Sequence, residues 1–149
     1  MMISVLYVDD EEISRYLSKF VLEKQAPDMS IIALSSPVEA MVYLKLNPVD
    51  VVVSDYYMEP VDGLSFLVMV RQLYTSLPFI MLTAQSKESV VITALNEDAD
   101  YFLKKNPANP SQTYNELEHM IRSSIEKRLQ EKSILKLKAS LLALKQTAG

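Results

Sequence analysis

The stretch Val51-Val52-Val53-Ser54-Asp55 constrains the fold more than any other, because its β-branched side chains show no polar alternation. A strand with one wet face alternates apolar and polar residues, whereas one covered on both faces is apolar throughout. This strand therefore belongs to a sheet with helices on both sides. It ends on a single acidic side chain, Asp55, and a turn-rich segment leads on to Gly63, the chain's only internal glycine. In an open α/β sheet, ligands bind just outside the carboxyl ends of the strands. Asp55 is thus a candidate site residue. The competing reading is an aspartate that merely caps the following turn or helix.

The rest of the chain repeats this grammar. Ile3 to Val8 is a short apolar run that stops at Asp9-Asp10-Glu11-Glu12. Helical spacing follows, with Ile13, Leu17, Phe20 and Val21 on one face, and Pro27-Asp28 punctuates. Ser30 to Leu34 reads as a second strand. Ser36 is an N-cap candidate with Pro37 in the first turn, and that helix carries Val38, Met41, Val42 and Leu44 as far as Asn47-Pro48. Val49 to Ser54 is the central strand, Leu64 to Leu73 a helix, Pro78 to Leu82 a strand, Lys87 to Asn96 a helix, and Tyr101 to Leu103 a last short strand. Strand-helix alternation of this kind demands right-handed crossovers and a parallel sheet. The expected fold class is α/β: a doubly wound, five-stranded parallel sheet of flavodoxin-like order 2-1-3-4-5, with helices on both faces and an extended C-terminal helix.

From about Thr113 the pattern stays helical almost to the end. Tyr114, Leu117, Ile121 and Ile125 form a sheet-covering stripe. Glu126 to Ser133 is polar apart from Leu129, and a heptad-like stripe of Ile134, Leu137, Leu141 and Leu144 follows out of register with the first. The spacing predicts a domain over 1–125 and a helical extension over 126–149. The extension is expected to pair with another chain, a homodimer included, or to lead into a further domain; folding back onto its own domain is the alternative.

Composition narrows the function. The 149 residues are 49% hydrophobic and 23% charged, enough apolar material for a core. A net charge of −4 gives no general attraction to nucleic acid or anionic membrane. With no cysteine and a single histidine, His119, thiolate chemistry, disulfides and a histidine-rich metal site are excluded. Neither a signal peptide nor a membrane span is visible, so a cytoplasmic protein is expected.

In the expected strand order, the ends of strands 1 and 3 are neighbours, which brings Asp9, Asp10 and Asp55 to one edge. Like charges that close raise one another's pKa unless a cation neutralises them. A small, hard Mg²⁺ with room for water and phosphate suits such oxygens. Strand 4 delivers Thr83-Ala84 and strand 5 delivers Lys104-Lys105. A hydroxyl and an ammonium facing a carboxylate and a metal are the groups needed to hold phosphoryl oxygens on Asp55. Plain surface is the competing reading for either alone.

Together, Val8-Asp9-Asp10-Glu11, Ser54-Asp55-Tyr56-Tyr57-Met58 through Asp62-Gly63, Leu82-Thr83-Ala84, and Ala99 through Lys105 resemble the receiver (phosphoacceptor) domain of two-component response regulators. The resemblance covers roughly Ile3 to Arg122. It implies Asp55 as the phosphorylated residue, Asp10 as a direct Mg²⁺ ligand, Asp9 as an outer one, and the Tyr57 backbone carbonyl on the metal. It further implies that Thr83 binds the phosphoryl group, that Lys105 pairs with it, and that Phe102 is an aromatic switch. Lys104 competes for the lysine role, and counting from Ala99 selects Lys105. Tyr57 and Gln85 occupy positions that tune phosphoryl lifetime in the family.

The chain departs from the pattern twice. Asn106 stands where the family has proline after the lysine. A cis bond before a non-proline residue costs about 2.5–4 kcal/mol, so a different turn is expected there. Glu59 likewise replaces a proline, with Pro60 one position later, which predicts a loop of unchanged length and altered geometry.

By this resemblance a phosphohistidine on a histidine kinase or phosphotransfer protein donates to Asp55, and the α4-β5-α5 face repacks. The expected output is a changed surface for a partner. Beyond self-catalysed phosphorylation and dephosphorylation, no enzyme activity is expected. The alternative is a phosphorylation-independent interaction module. A flavodoxin-type ligand domain would want a Gly-, Ser- or Thr-rich loop where Asp9-Asp10-Glu11-Glu12 stands. A direct DNA-binding role is not expected, because the residues after Lys127 are too few for a helix-turn-helix.

Overall fold

The β-branched run becomes the middle strand of a five-stranded, wholly parallel sheet in the computed structural model, which describes residues 1–84 and 87–148. The elements are β1 (Ile3–Val8), α1 (Glu12–Gln25), β2 (Met29–Leu34), α2 (Pro37–Leu46), β3 (Val51–Asp55), α3 (Gly63–Leu73), β4 (Phe79–Thr83), α4 (Glu88–Asn96), β5 (Tyr101–Lys104) and α5 (Pro110–Ala148). The strand order is β2-β1-β3-β4-β5, as the alternation requires. In register, Val8 lies beside Ser54 and Asp55 beside Leu82, so the carboxyl ends of β1, β3 and β4 form one rim.

Period-2 alternation divides the core. Val5, Tyr7, Val51, Val53, Ile80, Leu82 and Leu103 pack on Leu22 of α1 and on Leu117 and Ile121 of α5. Leu6, Val8, Val52, Phe79 and Met81 face Ala40 and Leu44 of α2, Phe66, Leu67 and Val70 of α3, and Ala94 of α4. Local signals place the helix starts: the Ser36 side chain accepts from the Glu39 N–H, and Asp62 accepts from the Ser65 N–H at 2.8 Å.

Two helix faces differ from the simplest reading of their apolar residues. Ile13, Leu17 and Phe20 share a face of α1, but that face is exposed, and Ser18 and Leu22 meet the sheet. On α2, Val38 and Val42 are exposed while Pro37, Ala40 and Leu44 are buried. Close packing explains the small buried residues: Ser18 and Ala40 let α1 and α2 approach the sheet, with Leu22 and Leu44 filling the space beside them.

α5 is one unbroken helix of 39 residues. Its first part covers the sheet through Thr113, Leu117, Ile121 and Ser124. Beyond Arg128 every described residue is exposed, including Ile134, Leu137, Leu141 and Leu144. Among the described residues no helix is long and apolar enough to cross a membrane.

Candidate functional site

Asp9 lies immediately beyond β1 and is fully buried. Its Oδ1 accepts the Glu11 N–H at 3.0 Å, and its Oδ2 accepts the Tyr7 hydroxyl at 3.4 Å. Asp55 closes β3, and its Oδ1 accepts from its neighbour's N–H, that of Tyr56, at 2.9 Å. Lys105 lies between them, its Nζ 3.7 Å from Asp9 Oδ2 and 3.7 Å from Asp55 Oδ2. Lys104, the other candidate, is exposed.

One ammonium shared by two carboxylates does not neutralise the corner. Burial is the main reason the Asp55 carboxyl rises from 3.8 to about 6; Lys105 lowers it, while the Asp9 and Asp10 charges raise it. Asp10 is exposed and accepts the Glu59 N–H at 3.3 Å. The three aspartates thus reach one rim without forming a tight cluster. Among the described residues, no group of three His, Cys, Asp or Glu side chains has metal-holding geometry.

The donor chemistry still fits the expected ion. An all-oxygen corner with excess negative charge and a raised carboxyl suits Mg²⁺, which keeps several waters and takes only one or two carboxylates from a protein. Tyr57, whose carbonyl completes the expected set, follows directly after Tyr56 and is exposed, its ring edge-on to Tyr56 with centroids 4.7 Å apart.

The turn beneath the site leaves no space for a side chain at Gly63. A Cβ there would collide with the Asp55 carbonyl oxygen and come within 2.9 Å of Tyr56 Cα. The Gly63 N–H donates to the Tyr56 carbonyl at 2.8 Å, which ties the start of α3 to the end of β3. The Glu59–Pro60 bond is cis and the bond before Asn106 is trans. Asn106 makes its own turn: its side chain accepts the Ala108 N–H, and its N–H donates to Thr113 Oγ1 at 2.9 Å, which a proline could not do.

Thr83 is buried at the end of β4, and its carbonyl accepts the Lys105 N–H at 2.7 Å. By strand parity, Thr83 and Phe102 belong with Met81 to the α4 side of the sheet, whereas Asp55 and Lys105 fall on the α1/α5 side. Phe102 is half-buried and packs against the α2/α3/α4 core. Gln85 lies outside the described residues.

A second charged cluster, on the opposite rim, has no counterpart in the sequence reading. Asp100 is buried just before β5 and accepts four donors: Phe79 N–H at 3.0 Å, Arg71 Nη2 at 3.1 Å, Arg128 Nε at 2.8 Å and Arg128 Nη2 at 3.0 Å. Asp98 joins both arginines; its φ of 69° is a left-handed conformation that aspartate tolerates. Arg71 sits in an apolar helical run and Arg128 in a polar one, so spacing alone pairs neither with Asp100.

The chain matches the response regulator receiver domain family over residues 5–122. It is 33% identical over 129 residues to the transcriptional regulatory protein YvrH of Bacillus subtilis, covering 87% of this chain and 52% of that protein. It is 34% identical over 123 residues to response regulator Rre1 of Synechocystis, covering 81% and 51%. The chain thus spans about half the length of these relatives. The crystal structure of the response regulator domain of Thermotoga maritima CheB superposes with a TM-score of 0.73 at 26% identity, covering 85% of this chain and 98% of that one. Strand order, the acidic rim with its lysine, and the match over most of the chain lead to one conclusion: the chain belongs to the response regulator receiver family.

Proposed function

We propose that this receiver accepts a phosphoryl group on Asp55 from a phosphohistidine of a histidine kinase or phosphotransfer protein. The observation that carries the reading is the Lys105 ammonium shared by two carboxylates at the carboxyl rim of the sheet. An Asp55 oxygen attacks phosphorus, the phosphorus–nitrogen bond breaks, and the departing imidazole takes up a proton. Burial makes the Asp55 carboxyl more basic while leaving it largely ionised at neutral pH. Lys105 and the Thr83 hydroxyl receive the transferred oxygens. Asp10, Asp55 and the Tyr57 carbonyl would hold Mg²⁺, with Asp9 as a more distant partner, and the ion would supply charge neutralisation for the transferred group.

The donor docks beside this rim. α1 starts directly after the acidic corner and exposes Ile13, Tyr16, Leu17 and Phe20, an apolar stripe suited to a partner helix. Phosphorylation draws Thr83 towards the new dianion, and Phe102, on the same side of the sheet, repacks against α4. Residues 126–149 act as a helical extension that carries the change to a second chain or a following domain.

The test uses beryllofluoride, an acyl-phosphate mimic, with Mg²⁺ and backbone amide NMR. Large shifts at Ala84, Phe102 and Lys105, absent in Asp55→Asn, are expected. Unchanged spectra at saturating beryllofluoride would overturn the phosphoacceptor reading in favour of a phosphorylation-independent interaction module.

A further inference from the structure

β1 buries a phenol among aliphatic neighbours. Tyr7 is fully buried, its ring in the α1/α5 side of the core. Valine or isoleucine would fill a strand position without a polar atom to satisfy, whereas a buried hydroxyl destabilises unless it is bonded. The Tyr7 hydroxyl donates to Asp9 Oδ2 at 3.4 Å, the same oxygen that faces Lys105 at 3.7 Å. Ser14 and Ser18 of α1 line the same cavity as this hydroxyl. Ser18 Oγ lies 3.4 Å from the Tyr114 hydroxyl of α5. Hydroxyls of α5, α1 and β1 thus gather beside the acidic rim, around a cavity of about 200 Å³ lined by Tyr7, Ser14, Ser18, Lys105 and Tyr114.

We infer that Tyr7 is a positioning residue for the acceptor site: braced by Ser18 and Tyr114, its hydroxyl orients the Asp9 carboxylate and thereby sets how tightly Mg²⁺ is held. Asp9 has two oxygens and few ways to be fixed. The Glu11 N–H takes one, and without Tyr7 the partner of the other among the described residues is Lys105. Groups that orient a metal's carboxylates tune its affinity without touching it. The inference rests on the Mg²⁺ site proposed above.

Calorimetric titration of Mg²⁺ into the full chain tests it, with wild type, Tyr7→Phe and the double variant Ser18→Ala/Tyr114→Phe compared alongside metal-free thermal melts. Tyr7→Phe keeps the ring and removes only the hydroxyl. It is expected to weaken Mg²⁺ binding by about three- to tenfold, the scale of one hydrogen bond, with little change in the metal-free melt. The double variant leaves Tyr7 intact, and a smaller loss, about twofold, is expected from the missing brace. Mg²⁺ affinity equal to wild type in Tyr7→Phe would overturn the inference and leave Tyr7 as core filling. No Mg²⁺ binding by wild type would instead overturn the functional reading beneath it.

Discussion

At the scale of single residues, the acceptor corner sets stability against chemistry. Asp9 and Asp55 share one ammonium, Asp10 adds a third negative charge, and burial raises the Asp55 carboxyl to about 6. In the unfolded chain that carboxyl titrates at its ordinary value of 3.8. Between those values the folded chain holds a proton that the unfolded chain has lost. The group's contribution to stability is therefore full below the unfolded value and is lost as pH rises through the window to about 6. Allowing for residual solvent screening, the loss is on the order of 2 kcal/mol. In metal-free buffer Asp55→Asn is expected to unfold at higher denaturant than wild type near neutral pH, and to lose the wild-type slope between about pH 4 and 6. Urea curves across that range check this; parallel pH profiles for the two proteins would contradict it. In the proposed function, that cost at neutral pH accompanies an ionised, basic carboxylate that attacks phosphorus.

At the scale of elements, the long helix is held where it leaves the sheet. Arg128 is the last residue of α5 that is not exposed, and its guanidinium spans both oxygens of buried Asp100. Removing one partner of a buried pair costs about 3–5 kcal/mol when the remaining charge is abandoned. Asp100 would keep Arg71 and the Phe79 N–H, so Arg128→Ala is expected to cost about 2 kcal/mol. Hydrogen exchange beyond residue 126 should also rise. Chemical denaturation and exchange on the full chain check both, and wild-type values in the two measurements would contradict the clamp. This pair also marks how far the sequence could be read. The strands and their order were legible because continuous apolar runs and crossover handedness leave few choices. Asp9, Asp55 and Lys105 could be placed together because strand ends fix where they emerge. The faces of α1 and α2 were less legible, since Ser18 and Ala40 meet the sheet for reasons of size while Phe20 and Val42 look outward. The role of Arg128 is not legible in its polar stretch, because its partner is 28 residues away in sequence and on another element. Tyr7 passed as one more apolar strand residue because its hydroxyl has meaning only beside Asp9.

At the scale of the whole molecule, the two rims of the sheet divide the work. The carboxyl rim carries the proposed acceptor site and borders the exposed apolar stripe of α1, the face proposed for the donor. The opposite rim carries the Arg71–Asp100–Arg128 cluster, which joins α3, β5 and the root of the projecting helix. Thr83 ends β4 at the carboxyl rim, and Phe102 lies further down β5 on the same α4 side of the sheet. In the proposed function, a change in charge at Asp55 passes through Thr83 and Phe102 to the α4 face. The extension adds Ile134, Leu137, Leu141 and Leu144 on an exposed face, ready for a second chain or a following domain. All of this depends on Asp55 taking up phosphate. The most direct measurement is intact mass after incubation with Mg²⁺ and acetyl phosphate, beside Asp55→Asn and a sample without Mg²⁺. The account predicts a gain of one phosphoryl mass in the wild type alone. The absence of any adduct at early and late times, or an equal adduct on Asp55→Asn, would contradict it.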